Sequence, residues 1–186
     1  MAELKLTISR LRQENWDNKR FIPHQALKSA LDLEQIRTEL KDNGIEPTSL
    51  DEMANTILSK AIKIFAILVL INEPKLITRF LNKYGYFEEE LDGRLPFDDP
   101  DLERLLGNSD SVNHFREKQW EFVAPVFSGG ILPRALREEV ILPFIEDEPI
   151  GQGGSGDVFK IKIHPAHQTI NSGGLVCYLL MKSYSE

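Results

Sequence analysis

The residues that could do chemistry cluster near the C-terminal end: Ile150-Gly151-Gln152-Gly153-Gly154-Ser155-Gly156-Asp157-Val158, with Lys182 further on. Glycines at this density let a hairpin turn tightly and bring backbone N–H groups close to an anion without side-chain obstruction. Phosphate oxygens are the natural guests of such a loop. Three phosphate-binding patterns compete for it. A dinucleotide fold needs a helix after the third glycine and an acid about 20 residues later. Here the alternation of Val158, Phe159, Ile161 and Ile163 with Lys160 and Lys162 reads as a strand, and no Asp or Glu falls between Val158 and Ser185. A P-loop needs Gly-Lys-Ser/Thr at its end, which is absent. The third pattern is Gly-x-Gly-x-x-Gly-x-Val between two antiparallel strands, with a lysine on a third strand. Gly151, Gly153, Gly156 and Val158 fit it, and Lys182 is placed for the lysine. Ile150 and Val158 would then cover a base, and Lys182 would neutralise phosphates. A flexible Gly/Ser linker is the alternative reading.

Other reactive residues carry less. His164 and His167 form His-x-x-His, but zinc needs three or four ligands and no third is evident. Cys177 sits in an apolar run, where a small buried thiol is the ordinary outcome. Gly154-Ser155-Gly156 lacks the flanks of a nucleophile elbow.

The elements that must position these residues follow from periodicity. Leu4, Ile8 and Leu11 share one helical face, and Trp16–Arg20 reads as a polar connection. Pro23 opens a turn running through Leu27 and Leu31. Asp32 and Gln35 form a capping box for a helix carrying Ile36 and Leu40, which Gly44 stops. Ser49 and Glu52 suggest a second box, starting one long helix with Leu50, Met53, Ile57, Ala61, Ile64 and Leu68 on its face. Its end, Ile64–Ile71, is apolar all round and should lie at the centre of a bundle. Ile57, Ala61, Ile64, Phe65, Leu68 and Leu70 are expected to be buried in this one helix. Pro74 starts the next helix, with Leu76, Ile77, Phe80, Leu81 and Tyr84 inward, and Gly85 stops it. Residues 88–100 read as an acidic solvated loop. Phe115, Gln119, Phe122 and Val123 suggest a further helix, followed by extended Val126-Phe127. A hairpin is expected over Ile145–Ile163 with its turn at Gly153–Gly156, then a second β-prone run from Leu175 to Met181.

Composition bounds the rest. The 186 residues carry 22 basic and 29 acidic side chains, a net charge of −7, with 41% hydrophobic residues. That is enough apolar material for a core, and the acidic balance argues against nucleic acid as a partner. The single cysteine points to a reducing, intracellular, cytoplasmic setting. The N-terminus lacks the apolar core of a secretory signal, and the longest apolar run, Ile64–Ile71, is far short of the ~20 residues that span a bilayer, so no membrane is expected. Charge is uneven: residues from Gly151 onward are slightly basic and the preceding 150 strongly acidic.

Pro149–Val158 resembles the nucleotide-binding loop of the eukaryotic protein-kinase superfamily. Phe115–Trp120, Ala124-Pro125-Val126-Phe127, Ile141-Leu142-Pro143-Phe144 and the hairpin beginning Ile163-His164-Pro165 resemble fungal kinase-like proteins, in which a helical region precedes a Ser/Thr kinase domain. The resemblance implies an α+β chain: a helical domain over 1–130, a linker over 131–139, and over 140–186 an incomplete antiparallel kinase small lobe of three strands. It implies ATP as ligand, held by residues 150–158 and Lys182, with magnesium only in a complete family member. The sequence departs from the family at Leu180, where an alanine usually packs on adenine, and at Ser155, where an aromatic is usual. Val158 and Lys182 stand 24 positions apart, and four residues follow Lys182. No His-Arg-Asp or Asp-Phe-Gly motif occurs, so a truncated, catalytically inactive ATP-binding segment is expected. The alternative function is a noncatalytic interaction module in which the helical domain binds a protein partner.

Overall fold

A computed structural model describes residues 2–85, 90–128, 136–153, 156–169 and 176–181. The chain is α+β: a helical N-terminal region followed by a small antiparallel sheet.

Helix α1 (Ala2–Leu11) buries Leu4 and Ile8 as their spacing predicts. The expected connection at Trp16–Arg20 is the tip of a two-stranded ribbon, β1 (Gln13–Glu14) against β2 (Arg20–Phe21), and Asn15 organises it by accepting from Asp17 N and Lys19 N. After α2 (Ala26–Ala30), α3 (Leu33–Asp42) has the expected box: Gln35 N donates to Asp32 Oδ1 at 2.8 Å and Asp32 N to Gln35 Oε1 at 3.0 Å. Gly44 adopts φ +80°, and Gly44 N bonds Lys41 O while Ile45 N bonds Leu40 O, a Schellman stop.

The long helix expected from Leu50 onward is two helices. α4 (Pro47–Lys60) starts earlier than Ser49 because Pro47 presets a helical φ at its first position. Glu46 is its N-cap, and Ser49 Oγ donates to Glu46 O instead of capping. The chain leaves helical geometry at Ala61 (φ −139°, ψ 27°), and α5 (Ile62–Leu70) departs at 104°. Ile57, Ala61, Ile64, Phe65, Leu68 and Leu70 are all buried, divided across this break. Apolar all round apart from Lys63, α5 runs through the centre, against α1, α2, α4 and the later helices. Among the described residues no single helix is long and apolar enough to cross a membrane.

Pro74–Leu76 forms a 3-10 turn that continues into α6 (Ile77–Phe80) and a π-turn at Leu81–Gly85. The described part of the expected acidic loop is solvated only in part: Glu90, Gly93, Arg94 and Asp98–Pro100 are exposed. Leu91, Asp92, Leu95 and Phe97 are buried there, because Leu and Phe anchor it to the core and Asp92 bonds the start of α5. Gln119 holds Phe97 through both its backbone N (2.8 Å) and O (3.2 Å). An unexpected helix, α7 (Asp99–Leu106), is capped by Asp98, and Arg79 bonds the carbonyls of Leu105 and Leu106 at its far end. α8 (Ser109–Lys118), capped by Asn108, ends in a 3-10 turn at Gln119–Phe122. Phe80 stacks on Phe115 at 5.6 Å, with Phe97 edge-on to both.

Candidate functional site

The glycine segment is the bend of a hairpin. β3 (Phe144–Gly153) pairs antiparallel with β4 (Gly156–Ile163), Gly153 opposite Gly156. Gly154 and Ser155, inside the expected turn, lie outside the described residues. A dinucleotide fold would need a helix from Gly156; a strand begins there instead. β5 (Val176–Met181) pairs antiparallel with β4, giving the order β3-β4-β5. Lys182, one residue beyond β5, lies outside the described residues.

Alternation assigns the two faces of the sheet. Phe159, Ile161 and Ile163 point one way, and Ile161 and Ile163 are 3% and 1% exposed. They pack with Phe144 and Phe127, and Trp16 and Leu142 close the cluster from the helical side. The opposite face carries Val158, Lys160 and Lys162. Lys160 pairs with Glu148 at 3.3 Å and Lys162 with Glu146, an exposed zip across the hairpin. The lysines thus lie on a solvated face, as their spacing suggests.

Near the glycines the register brings the candidate residues together. Gly151 stands opposite Val158, Gln152 opposite Asp157, and Val158 opposite Leu180. The pairing shifts between Pro149 and Gly151, so Ile150 is a bulge residue, 48% exposed. A Cβ on Gly151 would meet nothing within 4 Å, so its upper side is open. Ile150 and Val158 thus stand beside the strand ends that carry Gly151, Gly153 and Gly156.

The sheet is fastened to the helical body by hydrogen bonds to its backbone. Trp16 N donates to Phe144 O at 2.9 Å and Asn15 Nδ2 to Leu142 O at 3.0 Å. Phe127 N bonds His167 O at 2.8 Å and Thr169 N bonds Phe127 O at 3.0 Å, where Phe127 and Gln168 form a parallel bridge. His167 is 2% exposed. Its Nε2 accepts from His24 N at 3.0 Å, and its Nδ1 lies 3.0 Å from Pro125 O. Burial pushes its pKa down to about 4, against the pull of the Pro125 and Ile22 carbonyls. Burial lowers the His164 pKa too. Both ring nitrogens of His167 are committed to backbone, which leaves no lone pair for zinc. No group of three or more potential metal ligands occurs among the described residues.

Sequence reasoning missed Asp92. Its carboxylate accepts from Lys63 N (3.1 and 2.9 Å) and Ile64 N (3.1 Å), capping α5 from 28 residues away. Desolvation raises its pKa to about 6, partly offset by those bonds. Asp92, Glu90, Lys63, His24 and His167 share the walls of a cavity of about 120 Å3 between α2, α5 and the sheet connection. Its signal in the sequence is an acid set beside Leu91 and Leu95 in an otherwise hydrophilic run. Compared with family models, curated proteins and solved structures, the chain finds no match in any of the three.

Proposed function

We propose that residues 140–186 are a protein-kinase-type ATP-binding segment, with the helical residues 1–130 as its scaffold. The β- and γ-phosphates would lie along Gly151–Gly156, Lys182 would neutralise phosphate charge, and Ile150 and Val158 would cover the base. The observation that carries this reading is the register: a glycine hairpin whose Val158 stands opposite Leu180, on the face the helical body leaves open.

Phosphoryl transfer needs a catalytic aspartate and magnesium ligands together, and no such motif occurs in these 186 residues. The segment therefore binds without turning over. Half a cleft buries only part of a nucleotide, whereas good sites bury about 70–90% of a ligand, so affinity is weak.

The test is calorimetric titration of the purified chain with Mg-ATP, beside a phosphotransfer assay. Lys182→Ala should weaken binding about tenfold, the loss of one charge-assisted contact. Binding indifferent to that change would refute the placement. Phosphotransfer abolished by it would refute the inactive reading. No binding by a folded chain would favour the interaction module carried by the helical region.

A further inference from the structure

We propose that His167 is a proton-sensitive latch: when its ring takes up a proton, the segment Pro165–Thr169 that follows β4 releases from the helical body.

A neutral ring has one donor and one acceptor nitrogen. Here Nδ1 faces a carbonyl, Pro125 O, and Nε2 faces a donor, His24 N–H. That fixes the tautomer with its proton on Nδ1. A second proton would turn Nε2 into a donor pointing at a donor, so the His24 contact must open. The two backbone partners belong to segments entering α2 and leaving the 3-10 turn after α8. The same residue's carbonyl accepts from Phe127 N, and Thr169 N returns a bond to Phe127 O. One ring therefore holds three strands of chain in register.

The charged and titratable neighbours do not rescue the cation. His24 and His164 lie 6.3 and 5.9 Å away by ring centroid, and each disfavours a charge on His167. Phe21 meets the ring edge-on at 5.3 Å. Across the cavity stand Lys28 from α2, Lys63 from α5, and the acids Glu90 and Asp92. Asp92 is spent on the α5 backbone and itself gains protons as the solution acidifies, so it supplies less negative charge as the latch needs more.

The sign and size follow from linkage. The docked ring titrates at about 4 and a released ring at about 6.5. The docked form thus binds fewer protons between those values, and docking weakens as pH falls through that window. From pH 7 to pH 5 the docking constant drops about twentyfold.

Hydrogen exchange on the full chain, corrected for intrinsic rates, reads the Phe127 and Thr169 amides, and Trp16 for the sheet as a whole. The protection of Phe127 and Thr169 should fall about twentyfold between pH 7 and pH 5. In His167→Gln the side-chain amide can donate to Pro125 O and accept from His24 N–H but cannot be protonated, so its protection should stay level. A fall in His167→Gln equal to that of the native chain would overturn the proposal. So would a native His167 ring that titrates by NMR near 6.5 while both amides stay protected. Should His167→Gln be open already at pH 7, the native titration decides: protection lost in step with ring protonation supports the latch, and protection lost out of step overturns it. Asp92→Asn should leave the fall in place.

Discussion

Replacing Asp92 with asparagine should stabilise the protein at neutral pH, although Asp92 caps the central helix. The carboxylate accepts three bonds from Lys63 N and Ile64 N but sits 7% exposed, and its pKa moves from 3.8 to about 6. Two pKa units correspond to about 3 kcal/mol disfavouring the ionised form in the folded state. That shift already contains the benefit of the bonds. Asparagine carries no charge and can keep its oxygen on Lys63 N and Ile64 N, but its NH2 then replaces the oxygen 2.9 Å from Lys63 N, a donor facing a donor, so Asp92→Asn should gain only part of that shift, about 1 kcal/mol at pH 7. Asp92→Ala sheds the charge but leaves the two N–H groups of Lys63 and Ile64 unpaired at about 1–3 kcal/mol each, placing it up to about 2–6 kcal/mol below asparagine. The pH dependence fixes the sign. A carboxyl raised on folding binds more protons in the folded state between 3.8 and 6, so the native chain gains on the variants as pH falls through that window. Near pH 4 aspartate should equal or exceed asparagine, with alanine still below both. Histidine titration is common to all three and cancels. The assay is urea unfolding by helical circular dichroism at stepped pH. A destabilising Asp92→Asn at pH 7, or an advantage that grows on acidification, would refute the reasoning.

Arg12 forks onto Glu121 through Nε (2.6 Å) and Nη2 (2.8 Å), with both side chains nearly buried. Arg12→Met should cost about 2–4 kcal/mol in urea unfolding, Lys118 making up part of the loss, and high salt should change the difference little. Gly44→Ala should cost about 1–2 kcal/mol from its left-handed backbone alone, since an added Cβ meets nothing within 4 Å; a Tm equal to that of the native chain would contradict this.

What the sequence discloses is what short spacing determines. Asp32 and Gln35 cap a helix three residues apart, Gly44 ends it through bonds to Lys41 and Leu40, and β4 is legible because Phe159, Ile161 and Ile163 alternate with lysines. The break at Ala61 is not legible, because the acid that starts α5 arrives from residue 92 after another helix and a turn. α7 was hidden by its own charge: Asp98, Asp99 and Asp101 read as a solvated run, while Leu102, Leu105 and Leu106 carry a short helical stripe that the acids mask. At the candidate site the glycine spacing gives the hairpin and its bend. It does not say which face of the sheet the helical body covers, since Trp16 and Phe127 come from distant segments. His167 is opaque for the same reason, its two ring partners being 42 and 143 positions away.

Which face is covered has a consequence for the proposed ligand. Three strands of 10, 8 and 6 residues make too small a sheet to stand without cover on one side. Trp16, Phe127 and Leu142 supply that cover on the Phe159–Ile161–Ile163 side. The other side is not uniform. Away from the glycines it is dressed with Glu146–Lys162 and Glu148–Lys160, pairs that satisfy one another and offer nothing to a base. Beside the glycines the character changes to Ile150 and Val158, with Ile150 among the few large apolar side chains left exposed. Within the β3–β4 hairpin, the open face thus changes from ion pairs to apolar side chains toward the end where the backbone turns on glycine. Under the proposed reading, a planar ring would find its apolar contact at Ile150 and Val158, next to the glycines that would receive the phosphates. That gradient along the hairpin, on a sheet whose other face is already used, is what supports placing the proposed nucleotide at Gly151–Val158.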